Sequence, residues 1–169
     1  MKLFIDTADT KLIKELSELN IIDGVTTNPS LMAKEGIKDE ACDDHYVRIC
    51  NLLNGPVSAE VIATDFAGML KESLILAKLH ENIVVKIPMT KSGIQTIHKL
   101  STKGIQTNCT LVFSSAQALL AAKAGATYVS PFIGRLEDIN EDGLGLIKSI
   151  RTIFDNYGFK TQILAASIR

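Results

Sequence analysis

At 169 residues, 46% hydrophobic and 22% charged, the chain is long enough for one domain with a sizeable core and belongs to the globular class. A formal net charge of −1, with the basic residues dispersed, gives no footprint for nucleic acid or an anionic membrane. Asp6 cuts short the first apolar run, so no secretion signal is read there, and no stretch approaches the roughly 18 apolar residues of a membrane span.

Short β-rich runs alternate with stretches of helical spacing. KLFID (2–6) comes first, followed by Leu12, Ile13, Leu16 and Leu19 on one helical face behind the cap Asp9. IDGVTTN (22–28) is the second strand. The connection from Met32 to Asn54 is the longest and predicts more than one helical piece. VSAEV (57–61) precedes a helix capped by Asp65, with Phe66, Met69, Leu70 and Leu74 on its apolar face. NIVVKIP (82–88) and IQTNCTLV (105–112) follow. Ser114 with Gln117 then reads as a capping box, and Gly125 as the stop of that helix. TYVSPF (127–132) and QILAAS (162–167) complete seven strands. Such alternation implies parallel strands joined by right-handed crossovers, and nothing divides residues 1–169 into more than one domain.

Polar residues choose between an open doubly wound sheet and a (β/α) barrel. Alternate residues of a strand share a face, so Thr26 goes with Asn28, Ser58 with Glu60, and Asn108 with Thr110. Asp6 and Lys86 hold equivalent places, and Ser130 and Ser167 extend the series. Every one sits toward the carboxyl end of its strand. Val25, Ala59, Val61, Val85, Ile87, Cys109 and Leu111 occupy the other faces, where they suit packing under helices. An open sheet draws its site from a few strands at a switch point, whereas a barrel draws it from most strand ends. The pattern therefore predicts an α/β fold of the (β/α)8 TIM-barrel kind.

Residue type then suggests chemistry. A lysine enclosed by apolar residues loses hydration, and its neutral fraction grows. A neutral amine attacks a ketone or aldehyde to form a Schiff base, and Asp6 and Glu60 are the candidates for the proton transfers that this requires. Asn28, Asn108 and Ser130 are uncharged hydrogen-bonders suited to sugar hydroxyls. Arg135 and Arg169, with the Ser167 hydroxyl, follow the late strands, where barrels often bind phosphate. No metal or other cofactor is expected. His45, His80 and His98 fall in helical stretches with surface or packing roles. Cys42, Cys50 and Cys109 lack CxxC spacing and read as reduced thiols of a cytoplasmic protein.

FIDTA (4–8), GVTTNPSL (24–31), SAEV (58–61), VVKIPMT (84–90), NCTLVFS (108–114), SPFIGR (130–135) and AASIR (165–169) resemble, in order, the motifs of the transaldolase family. The resemblance is closest to its short-chain branch, which also includes the fructose-6-phosphate aldolases. It implies metal-free, class I ketol transfer in the pentose phosphate pathway. Lys86 would form the Schiff base with C2 of fructose 6-phosphate or sedoheptulose 7-phosphate. Asp6 would take the proton of the C4 hydroxyl as the C3–C4 bond breaks. Glu60, with Thr110 through a water, would shuttle protons at the imine. Asn28, Asn108 and Ser130 would hold the dihydroxyacetone unit, Thr26 and Ser58 would support them, and Arg135, Ser167 and Arg169 would hold phosphate. The aldolase members resemble this chain but carry Gln at the position of Glu60 and Tyr at that of Phe132, so both residues point to transaldolase.

Two alternatives stand beside that reading: an aldolase releasing free dihydroxyacetone, and a non-catalytic sugar-phosphate-binding barrel. Family members continue through a further helix, an eighth strand and a final helix, whereas this sequence ends at Arg169; either a mobile or cleaved tail is omitted or the product is truncated, and an omitted tail is expected. The family's rings of five or ten subunits predict a homo-oligomer.

Overall fold

A computed structural model describes residues 1–38 and 41–168. Seven strands, β1 (Phe4–Asp6), β2 (Gly24–Thr26), β3 (Val57–Glu60), β4 (Ile83–Pro88), β5 (Thr107–Val112), β6 (Tyr128–Pro131) and β7 (Gln162–Ile163), follow one another in the sheet in chain order. Between them run α1 (Thr10–Glu18), α2 (Pro29–Lys34), α3 (Cys42–Cys50), α4 (Phe66–Leu76), α5 (Lys91–Ser101), α6 (Ser115–Ala124), α7 (Ile133–Glu137) and α8 (Gly143–Tyr157). The order contains no switch point, so the doubly wound alternative is excluded and the α/β topology is that of a (β/α) barrel. The Met32–Asn54 connection does hold separate helical pieces, the rest of α2 and all of α3.

The chain forms two compact units. Met1–Ile62 and Lys71–Val85 make the first, and Ala63–Leu70 and the segment from Lys86 onward make the second. In the first, β1 pairs β2 and β2 pairs β3, both in parallel. Gly24 lies opposite Phe4, and a Cβ there would overlap the Phe4 ring, so glycine permits this register. Asp9 caps α1 by accepting from the Lys11 and Leu12 amides, and Ile13 is fully buried on the core face. Ala41, at the N-cap of α3, has no polar side chain to cap it, but Asp43 and Asp44 in its first turn and Arg48 in its last complement the helix dipole. Val25, Val57, Ala59 and Ile49 complete this core with no exposure.

In the second unit β5, β6 and β7 are parallel neighbours. Ala118, Ala121, Ile150 and Phe154 cover them from α6 and α8. Ser114 accepts from the Gln117 amide at 3.2 Å, as the capping box predicts, but the Gln117 side chain returns to the Phe113 amide at 2.7 Å. Gly125 ends α6 at φ +95°.

Two expectations are corrected. His80 lies beyond the end of α4, where its Nδ1 accepts from the Asn82 amide, and it is not helical. Leu111 does not pack beneath helices; it is 41% exposed at φ +59°. The cause is a bulge. Cys109 pairs with Val129 and Val112 with Pro131, so three steps along β5 match two along β6. Leu111 is the extra residue, and it leaves the alternation that its neighbours keep.

Candidate active site

Strand ends place most of the polar residues singled out in the sequence. In the first unit, Asp6 ends β1 and stands directly opposite Thr26, whose hydroxyl donates to Asp6 Oδ1 at 2.7 Å. Asp6 is exposed and Thr26 half-buried. Asn28 follows β2 as the cap of α2, its Oδ1 accepting from the Leu31 amide at 2.9 Å. That bond occupies the oxygen with the fold, and the amide NH2 remains the group Asn28 can offer a ligand. Ser58 is buried and Glu60 half-buried at the end of β3. Glu60 also lines a cavity of about 310 Å³ walled by Met32, Cys42, Tyr46, Ile62 and Glu72.

In the second unit, Lys86 lies on β4 with 6% exposure, next to the fully buried Ile87. The tight turn into α5 admits only glycine at 93, because a Cβ there would run into the Pro88 carbonyl. Asn108 and Ser130 are buried and joined, Ser130 Oγ donating to Asn108 Oδ1 at 2.9 Å. Thr110 is 1% exposed, and its hydroxyl has no hydrogen-bond partner among the described residues. A buried hydroxyl left unsatisfied is costly, so this one calls for an external partner, a water or a substrate oxygen. Its backbone carbonyl accepts from the Met89 amide at 2.9 Å. Beneath that level Cys109 donates its S–H toward the Met89 thioether at 3.7 Å, and burial pushes its thiol up to about 12.

Beyond β6, Phe132 meets Phe113 edge to face at 5.8 Å. Ser167 comes back to this point, its carbonyl accepting from the Gly134 amide at 3.0 Å. One residue further on, Arg135 is exposed. Ser167 itself is held at φ +56°. The third residue assigned to phosphate, Arg169, lies outside the described residues.

Tyr46 carried no assignment in the sequence, yet its hydroxyl meets the Thr27 side chain and the Glu60 amide. Its helical position marked it for burial, and no spacing signal revealed those polar partners.

The model of the family described as transaldolase/fructose-6-phosphate aldolase matches residues 3–169. A probable transaldolase of Flavobacterium psychrophilum is 64% identical, across the whole of this chain and 78% of its own length. Probable transaldolases of Phocaeicola vulgatus and Geotalea uraniireducens are 61% and 57% identical with the same coverage. Among the described residues, no helix is long and apolar enough to cross a membrane.

Proposed function

Because the chain belongs to the transaldolase/fructose-6-phosphate aldolase family, we propose that it transfers a dihydroxyacetone unit between sugar phosphates through a Schiff base on Lys86. The observation that carries this reading is the burial of Lys86, an amine at 6% exposure on a strand whose Val85 and Ile87 are fully buried. A lysine there gains little as a surface charge and suits attack on a carbonyl.

In the proposed reaction Lys86 Nζ adds to C2 of the ketose phosphate, and the carbinolamine loses water to give the iminium. Asp6 takes the proton of the C4 hydroxyl. The C3–C4 bonding pair then moves into the iminium, leaving a three-carbon enamine on Lys86 and freeing an aldose phosphate. The enamine carbon attacks the aldehyde of an acceptor aldose phosphate, Asp6 returns the proton, and hydrolysis frees Lys86. Glu60 and a water held by the Thr110 hydroxyl serve the proton transfers of imine formation and hydrolysis. The joined pair of Asn108 and Ser130, with the Asn28 amide, binds the dihydroxyacetone hydroxyls, and Thr26 and Ser58 support them. Arg135, Ser167 and Arg169 take the phosphate, Arg135 through charge-assisted bonds.

The fate of the enamine separates this reading from its nearest rival, aldol cleavage to free dihydroxyacetone. Glu60 and Phe132 favour transfer. Consumption of fructose 6-phosphate is therefore expected to depend on added erythrose 4-phosphate, and Phe132→Tyr is expected to raise acceptor-independent release of dihydroxyacetone. Full turnover without an acceptor would replace transferase by aldolase.

A further inference from the structure

β1 is only three residues long, and Asp6 is its last. Sheet bonding continues for one more residue, the Thr7 amide donating to the Thr26 carbonyl at 3.1 Å. The chain then turns, with Thr7 Oγ1 accepting from the Asp9 amide at 3.2 Å, and α1 begins. Asp9 supplies the first carbonyl that α1 uses, to the Ile13 amide at 3.0 Å. The Ala8 carbonyl between them therefore belongs to neither strand nor helix, and Ala8 is 1% exposed. A buried backbone carbonyl needs a donor. His45 of α3 provides it across 37 residues of sequence, its Nε2 lying 2.8 Å from the Ala8 oxygen. Because a carbonyl only accepts, Nε2 carries the hydrogen.

His45 is 5% exposed, and its Nδ1 is buried with no hydrogen-bond partner among the described residues. An unsatisfied ring nitrogen is costly, and the Nε2 bond is what offsets that cost. Asp6, by contrast, is exposed, so packing alone does not fix its carboxylate. The Thr26 hydroxyl holds one of its oxygens, Oδ1, at 2.7 Å. The main chain that carries the carboxylate is fixed on one side by the pairing of β1 with β2, and on the other by the turn that His45 grips.

We infer that His45 is a positioning residue for Asp6: its Nε2–H, by holding the Ala8 carbonyl, fixes the turn from β1 into α1 and so the place of the Asp6 carboxylate relative to the proton it takes. This inference rests on the reaction proposed above, in which Asp6 serves the carbon–carbon step. His45 touches no reacting atom; it acts through the main chain two residues beyond Asp6.

The test separates the step that uses Asp6 from the step that does not. In the full-length protein, His45→Phe keeps a ring of similar shape and removes both nitrogens. Its kcat for transfer from fructose 6-phosphate to erythrose 4-phosphate is expected to fall about tenfold, with KM changed less. Borohydride trapping of fructose 6-phosphate on Lys86 is expected to stay within about twofold of the wild-type rate, because imine formation does not draw on Asp6. His45→Gln, whose amide N–H can stand where Nε2–H stood, is expected to recover most of the lost kcat. In the Asp6→Asn background, His45→Phe is expected to cost less than about twofold, because the base it positions is already gone. An unchanged kcat, trapping that falls together with kcat, no rescue by His45→Gln, or equal costs in the two backgrounds overturns the inference. Thermal melts confirm that the variants fold. Should His45→Phe fail to fold, His45→Asn, too short to reach the Ala8 carbonyl, is judged by the same split; if neither folds, His45 is a packing residue and the inference falls. Trapping on the wild type separates the two levels: no reducible adduct on Lys86 rejects the proposed reaction and this inference together, whereas an adduct whose trapping falls in step with kcat rejects the inference alone.

Discussion

The strand ends of the two units differ in their contact with water. In the first, Asp6 is exposed and accepts from the Thr26 hydroxyl, and Glu60 is half-buried. In the second, Lys86, Asn108, Thr110 and Ser130 are buried, and the Thr110 hydroxyl has no partner among the described residues. In the proposed reaction, the carboxylates assigned to proton exchange stand where they remain hydrated, and the amine assigned to the carbonyl carbon stands where water is scarce. The same alternation of polar and apolar residues thus supplies two environments, set by how far each strand end is covered.

Changes that act on one environment alone sharpen this contrast. The largest effect is expected for Asp6→Asn, which keeps the shape and removes the base. Its kcat should fall by about 10²–10⁴, while the borohydride-trapped adduct on Lys86 persists; loss of the adduct as well would show that Asp6 serves imine formation too. Thr110→Val tests the dry side. Turnover is expected to fall about tenfold, while the unfolding free energy should change by less than about 1 kcal/mol, because the hydroxyl gives up no hydrogen bond to the described protein groups when it becomes a methyl. A larger stability loss in urea titrations would mean that the hydroxyl is satisfied within the fold.

Two smaller effects concern stability alone. Cys109 and Cys50 stay protonated in the fold up to about 12 and about 11, against 9.0 for an ordinary thiol. The unfolded chain releases those protons first, so the contribution is intact below pH 9.0 and disappears as pH rises through about 12. Cys109→Ala is expected to be less stable at neutral pH, with a slope between pH 9 and 12 shallower by at most about 1.4 kcal/mol per unit; an unchanged slope would mean that the thiol is not shielded. Leu111→Gly is expected to gain about 1 kcal/mol by relieving the left-handed backbone. A loss on thermal melting would show that packing of this half-exposed side chain outweighs the strain.

Much of this was legible in the sequence because strands and caps leave local marks. Asp9, Ser114 and Gly125 marked their helix ends correctly, and the two-residue period brought out Asp6, Thr26, Asn108 and Ser130, which the structure places in bonded pairs. Leu111 was misread because a bulge is an extra residue in register, which no period shows. Tyr46 was missed for another reason. Its partners, Thr27 just past β2 and Glu60 at the end of β3, lie 19 and 14 residues away in sequence, and an aromatic residue on a helix signals burial without showing what its hydroxyl meets. Asn28 gave half its story, since a residue chosen for a sugar also caps α2.

The most direct measurement of the central claim is borohydride reduction of the full-length protein with fructose 6-phosphate, read by intact and peptide mass. The account predicts one covalent sugar-derived adduct on the peptide carrying Lys86, and none on a folded Lys86→Met variant. An adduct on another lysine, or one that survives in Lys86→Met, would contradict it.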